Sequence, residues 1–466
     1  METPLESPIP SAEGSRARGK AERESVPRTA HAVLADRPST FDPIQILVGQ
    51  AEGRVADLLP LRYTRMDRDA FSFLRGAAAI MAADLALAPS TDLNVQLCGD
   101  AHLANFGVFY SPERRLVFDI DDFDETHTGP FEWDVKRLVA SIAVAAQGLN
   151  LTKGQQERCV FAAVQNYRNS MRVFSLAPTL EVWYAHLEVG STLQVLGLTP
   201  SVKAQDTESL MERAERSGAR KAYAKLVLDT PDGARIKSDP PLLVPARDLA
   251  ADEQVDVAAL VQRVLHGYEQ TLPADMRHLL HRLTPIDAAR KVVGVGSVGT
   301  LCYVLFMLGR DANDPFFLQV KEAGPSVLEA HLPPGNYSSP GQRVVDGQQL
   351  PQATPDPFLG WFDAPDATGD LRHFYVRQLY DGKASADVAT FDAQRLRAYS
   401  ATCGWTLAHA HARSGDRVAI ASYLGKSDAF DRAMASFALA YAARTAADHQ
   451  ALTDAIASGR IIASTS

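Results

Sequence analysis

The chain has 466 residues, 46% hydrophobic and 22% charged, a globular composition whose length suits two or three domains with sizeable cores. Its 47 Lys and Arg against 56 Asp and Glu leave a formal net charge of −9, which argues against a nucleic-acid partner, because that grip needs clustered positive charge. Cys98, Cys159, Cys302 and Cys403 lie too far apart for a disulfide framework or a zinc module, so the cytoplasm is the expected compartment.

Residues 1–42 begin with a Pro-, Ser-, Glu- and Arg-rich stretch that lacks the apolar core of a secretory leader, and they read as a disordered tail. Apolar spacing predicts helices near 43–61 and 73–87. Short strands follow at Leu93–Leu97 and Arg115–Ile120, flanking a polar loop. From Val135 the pattern is mostly helical, notably at 135–146, 158–174 and 255–265, with one hairpin near 225–237 turning at Thr230-Pro231-Asp232-Gly233. The texture changes at Ala289: KVVGVGSVGTLCYVLFML and PFFLQVKEA are rich in β-branched and aromatic residues, and a further strand is expected at 373–379. Residues 331–364 read as loop, and helices return from Ala393 to the end. The longest apolar runs, 138–146 and 301–308, fall well short of the roughly 20 residues needed to cross a bilayer, so no membrane partner is expected. The expected fold class is therefore α+β, with four parts: the tail, a mainly helical lobe at 43–285, a small antiparallel sheet lobe at 286–392, and helices at 393–466 that pack back on the first lobe.

The polar loop holds Asp100, His102 and Asn105, and 17 positions beyond Asn105 lies Asp122, inside FDIDDFDE, where five acids fall in seven residues. Such a field calls for cations, and magnesium suits it: the ion takes one or two carboxylates, a carboxamide oxygen and substrate phosphates. A carboxylate on the first loop can then orient or deprotonate a hydroxyl. For any one of these aspartates a helix cap or solvated turn is the ordinary role; the combination is what points to a site.

The loop Gly99-Asp100-x-His102-x-x-Asn105 resembles the G-D-x-H-x-x-N loop of aminoglycoside and choline kinase-like phosphotransferases, and Ile120-Asp121-Asp122-Phe123 resembles their metal-binding strand end. The resemblance implies Asp100 as catalytic base, with His102 beside it, and Asn105 and Asp122 as magnesium ligands, with Asp124 available as a further one. Asp134, in EWDVKRL, resembles the acid that props the catalytic loop, while Cys98 stands where those enzymes usually carry His. The segments FLRGAAAIMAADLA, VQLCGDAHLANFGVF, KVVGVGSVGT and GWTLAHAHARSGD also resemble a bacterial family known only as a domain of unknown function, number 2252, over about residues 58–444.

Gly294, Gly296 and Gly299, with Ser297 between them, form a G-x-G-x-x-G whose backbone can approach phosphates. A dinucleotide fold is one home for this motif, but it needs a helix after the third glycine. The strand-like CYVLF that follows favours the kinase arrangement, in which a strand-loop-strand covers ATP. Lys321 then matches the lysine on the α and β phosphates, with Glu329 or Glu322 as its ion partner. Taken as a surface lysine, Lys321 is expected to tolerate Lys321→Met within about 0.5 kcal/mol. Kinases place the glycine loop before the catalytic loop. Here it comes roughly 190 residues after, so a circularly permuted kinase-like fold is expected, with the late lobe folded over the early loops. His409 and His411, two apart on a helix, read as packing or polar contacts. The expected activity is ATP- and magnesium-dependent phosphoryl transfer to an unidentified hydroxyl on a small molecule or protein. A non-catalytic nucleotide-binding module, AMP transfer and a metal-dependent hydrolase are the alternatives.

Overall fold

The computed structural model describes residues 11–189, 218–231, 233–253, 257–366, 369–379 and 382–464. Its architecture is mixed α+β, and the paired strands run antiparallel. Ser11 caps α1 (Ala12–Ser25) by accepting from the Gly14 amide at 3.1 Å. The expectation of a disordered tail is corrected here: the chain is folded from Ala12, and residues 1–10 lie outside the described residues. A Cβ on Gly19 would come within 2.0 Å of the Ala419 carbonyl oxygen, and Arg23 donates to the Tyr423 carbonyl at 2.8 Å. Further on, Arg37 bridges the buried Asp84 and Asp448 at 2.7 and 2.6 Å. Small-residue contacts and buried ion pairs leave no apolar pattern to read in advance.

The two helices expected at 43–61 and 73–87 are each divided, into α2 (Pro43–Gly49) and α3 (Leu59–Asp67), and α4 (Ala70–Gly76) and α5 (Ala78–Ala86). The Asp42 and Asp69 side chains cap α2 and α4 by accepting first-turn amides. β1 (Asn94–Leu97), β2 (Phe106–Tyr110), β3 (Leu116–Ile120) and β4 (His127–Pro130) follow, β1 pairing with β4 and β2 with β3. Next, α6 (Phe131–Gly148) is buried on nearly every side, its charged Glu132, Asp134, Lys136 and Arg137 included. α7 (Lys153–Phe174) starts with a Thr152–Gln155 capping box, and α8 (Thr179–Tyr184) leads to the short β5 (Leu187–Glu188) beside β3.

The expected hairpin is present as α9 (Ala219–Leu226) running into β6 (Val227–Thr230) and β7 (Gly233–Ile236), with Asp232 outside the described residues. β8 (Leu243–Pro245) precedes α10 (Ala246–Glu253), α11 (Val257–Glu269) and α12 (Ala274–Leu280). β9 (Thr284–Lys291), β10 (Cys302–Leu308) and β11 (Pro315–Glu322) come next. The 331–364 stretch, expected as loop, holds α13 (Pro340–Gln349), started by the Ser339 cap and Pro340, and then β12 (Gly360–Pro365). β13 (Leu371–Gln378) completes a six-stranded sheet of order β12-β13-β11-β10-β9-β8, while β14 (Ala384–Ser385) borders β2. Segment 219–285, placed in the helical part by the sequence, packs on this sheet instead: Tyr268, Leu272 and Leu280 share a core with Leu318 and Phe374.

α14 (Ala393–Ser414), α15 (Arg417–Leu424) and α16 (Ala429–Ala457) return to enclose α6 and α7 in the largest core. Buried Arg168 on α7 and Asp431 on α16 pair at 2.8 Å within it. Among the described residues no helix is long and apolar enough to cross a membrane.

Candidate functional site

Strand register brings the two acid-bearing loops face to face. Leu97, at the end of β1, pairs with His127, and Phe106, at the start of β2, pairs with Ile120; residues 98–105 and 121–126 therefore leave adjoining strand ends. They touch at Gly99, whose φ is +85° and where a Cβ would lie 1.9 Å from the Glu125 carbonyl oxygen. Only glycine fits both demands. From the first turn of α6, Asp134 accepts the Cys98 amide at 2.8 Å and the Gly99 amide at 3.1 Å, with His411 Nε2 3.3 Å away. The loop is thus held through its backbone, and Cys98 in the place of His leaves that support intact.

Asp100 Oδ1 accepts from Arg137 Nε at 2.7 Å, and its Oδ2 lies 3.6 Å from His102 Nε2. Arg137 is buried and also donates to the Leu74 carbonyl at 2.6 Å. It stands three residues after Asp134 on α6, so one helix face both props the loop and holds its carboxylate; no local pattern announced it. Asn105 Nδ2 donates to the Asp100 carbonyl at 2.9 Å, leaving the oxygen end of the carboxamide for a cation or ligand. His102 is buried, with Nδ1 unpartnered among the described residues, and burial drives its pKa down to about 4 despite the Asp100 charge. It is neutral near pH 7.

On the second loop, Asp124 is the ion partner of buried Lys321, and Tyr375 Oη donates to its other oxygen at 2.5 Å. Burial opposes ionisation of Asp124, but Lys321 outweighs it and holds the carboxyl at about 2. Asp122 stands beside it, and burial followed by the Asp124 charge pushes its pKa up against the opposing charges of Lys321, Arg377 and Lys383. The Glu329 and Glu322 expectations are corrected by this arrangement. Glu329 accepts the Ser326 amide at 2.9 Å and the Tyr337 hydroxyl at 2.6 Å and lies 3.6 Å from Arg343; Glu322 accepts from Arg372 at 3.0 Å and from the Leu301 amide at 3.0 Å. The lysine is satisfied by the acid loop itself. Arg343, on α13, clamps that loop by donating to the carbonyls of Thr126 and Asp124 at 2.6 and 2.8 Å. α13 lies inside the stretch read as loop, so this clamp was invisible to periodicity.

The glycine segment joins β9 to β10, and no helix follows it: Thr300 is in a turn and Cys302 opens a strand. That removes the helix a dinucleotide site requires. Arg54 donates to the Gly296 and Val298 carbonyls at 2.8 and 2.7 Å, and Arg65 to that of Gly294 at 2.6 Å, so the loop is pinned to the turn after α2 and to α3. One cleft of about 500 Å³ is lined by Asp100, His102, Asn105, Asp122 and Asp124, and across from them by Gly294, Gly296 and Ser297. Ser297 Oγ reaches Asp124 at 3.5 Å. Lys321 and Gly299 do not line it: Lys321 sits behind Asp124, and the Gly299 carbonyl accepts the Val55 amide at 2.8 Å.

His409 and His411 are polar contacts, as the sequence suggested: His409 Nε2 meets the Val182 carbonyl at 2.9 Å and His411 Nδ1 the Tyr167 hydroxyl at 2.8 Å. Burial lowers His409 to about 4 and His31 to about 3. With His102, these three bases take up protons in the unfolded chain near pH 6.5 but resist them when folded. Stability is therefore full above that value and falls as pH drops from about 6.5 toward 4, by up to about 3 kcal/mol for each of His102 and His409. Urea midpoints across this range are expected to fall, and His409→Gln to flatten part of the slope; a midpoint constant from pH 7 to 4.5 would contradict the assignment.

The mixed α+β fold and the facing loops thus define a cleft protein with a buried acidic centre. Over residues 54–455 the chain matches, and belongs to, a family described as an uncharacterized protein conserved in bacteria (DUF2252). No curated protein and no solved structure matches it.

Proposed function

We propose that the protein is an ATP- and magnesium-dependent phosphotransferase with a circularly permuted kinase-like arrangement, acting on a hydroxyl acceptor. The observation that carries this reading is the single cleft shared by Asp100, Asn105 and Asp122 with Gly294, Gly296 and Ser297, motifs far apart in the chain. Each half supplies what the other lacks: one has carboxylates and no phosphate cradle, the other a cradle and no acids.

The donor set fits magnesium. Asn105 and Asp122 offer hard oxygens, and the raised Asp122 carboxyl beside ionised Asp124 is a charge arrangement that a cation relieves. Among the described residues no three carboxylate, imidazole or thiolate groups form a ready cage, so the ion would be held by few protein ligands together with water and phosphate oxygens. When bound, it would neutralise charge on the phosphates. The chain's own groups do the rest. Asp100 Oδ2, free of Arg137, accepts the proton of the acceptor hydroxyl as its oxygen bonds to the γ-phosphorus and the bond to the β–γ bridging oxygen breaks, releasing ADP. Arg137 and Asp134 fix the carboxylate and its loop.

Asp122→Ala is expected to weaken magnesium-dependent nucleotide binding about tenfold or more, the loss of about 1.4 kcal/mol of coordination, with little change in unfolding midpoint. Unchanged affinity in a calorimetric titration would move the ligand role to Asp121 or Asp124. The reading as a whole is tested by offering purified protein Mg-ATP, labelled at the α or the γ position, with hydroxyl and amine metabolites. Label passing from the γ position supports it, and label passing only from the α position replaces it by AMP transfer. The Lys321–Asp124 and Arg137–Asp100 pairs favour one second reading, nucleotide binding without turnover; ATP binding with no label transferred would adopt it.

A further inference from the structure

Arg54, Arg62 and Arg75, from the turn after α2, from α3 and from α4, also line the cleft, and none of them forms an ion pair with a carboxylate among the described residues. Arg54 donates only to carbonyls, those of Gln50, Gly296 and Val298. Arg62 is wholly buried; its Nη2 reaches the Gln50 side chain and the Gly76 carbonyl at 3.2 and 3.3 Å, while Nε and Nη1 have no partner. Arg75 has a buried, unpartnered Nε. Burial lowers the pKa of both, Arg62 to about 10, with the Arg54 charge adding to the fall, whereas the nearby charges of Asp100 and Asp122 act to raise Arg75.

A buried guanidinium without acceptors is costly and becomes favourable once an anion supplies them. The position of the arginines narrows the anion. The Arg75 carbonyl lies 3.3 Å from where a Gly296 Cβ would stand, and its side chain feels Asp100 and Asp122, so it spans from the glycine loop to the catalytic carboxylate. One planar carboxylate is satisfied by one bidentate arginine, whereas several arginines lining one cleft suit a tetrahedral oxyanion with three free oxygens.

We propose that Arg62 and Arg75, backed by Arg54, form a phosphate subsite in the cleft, taking the terminal phosphate of the nucleotide or a phosphate ester carried by the acceptor. The subsite rests on the phosphotransferase reading only for the source of that phosphate. It also supplies positive charge that Lys321, committed to Asp124, does not bring to the cleft surface.

Calorimetric titration of the full chain with inorganic phosphate and with tripolyphosphate, without metal, tests it. The wild-type protein is expected to bind, and Arg75→Gln and Arg62→Met each to weaken binding about tenfold or more. Ligand-free Arg62→Met is expected to unfold at a midpoint no lower than wild type, because it removes a buried charge that has no carboxylate partner and only two long hydrogen bonds; a purely structural arginine would lower it. Should Arg62→Met not fold, Arg75→Gln alone carries the test. Phosphate that still binds arginine-dependently under saturating Mg-ATP assigns the subsite to the acceptor, and phosphate displaced by ATP assigns it to the nucleotide. Arginine-dependent phosphate binding by a protein that neither binds nor consumes ATP would keep the subsite and end the phosphotransferase reading. No phosphate binding, or wild-type affinity in both variants, would overturn the subsite.

Discussion

Lys321→Met is expected to abolish ATP-dependent turnover and to cost about 1–3 kcal/mol of stability, because it leaves Asp124, about a quarter exposed in the cleft and still bonded by Tyr375, without its cation. The side chain expected at the surface is 3% exposed, so the tolerance foreseen for this substitution gives way to a large effect. The pH dependence identifies the cause. In the wild type, Asp124 is held at about 2, below its unfolded value, so its contribution is present above about pH 4 and is lost as pH falls toward 2. The variant lacks that contribution, so the gap between the two proteins in urea unfolding is expected to narrow from about pH 4 downward. Lys321→Met combined with Asp124→Asn should recover much of the stability and none of the turnover. A single variant as stable as wild type would mean that the pair contributes nothing to the fold.

Asp100→Asn is expected to lower turnover by about 10²–10⁴-fold, the range for removing a positioned general base, while nucleotide affinity stays within about twofold. The amide oxygen still accepts from Arg137, so the loop keeps its place, while buried Arg137 loses its anion and the unfolding midpoint falls. Single-turnover transfer of γ-label measures the first quantity and calorimetry the second. Wild-type turnover in this variant would remove Asp100 from the chemistry.

The three segments that meet in the cleft stood out in the sequence because each gathers its polar or glycine residues into a few adjacent positions: Asp100 to Asn105, Asp121 to Glu125, Gly294 to Gly299. The strands beside them were legible from their β-branched and aromatic runs. Of the side chains that hold these loops, Asp134 was reached through resemblance and the others were not. Arg137 and Arg343 act across long stretches of sequence, and a single charged residue on a helix looks the same whether it faces water or a carboxylate. α1 escaped because Ser15 and Gly19 make its buried face, and α13 because its Pro and Gly content reads as loop although Pro340 sits where a helix begins. The Glu329 pairing failed for a related reason: spacing along the chain nominated an acid, and the fold supplied Asp124 from 197 residues earlier in the sequence.

Arg37 and Asp84 show that the family and the folding unit have different edges. The family match begins at residue 54, yet Arg37 neutralises Asp84 and Asp448, both inside the match, and Arg23 and Arg28 cover carbonyls at the end of α15. A protein trimmed to the shared segment would keep every residue proposed for the cleft while exposing or unpairing the groups beneath it. Inactivity of such a fragment would therefore report lost anchorage and would not bear on the chemistry.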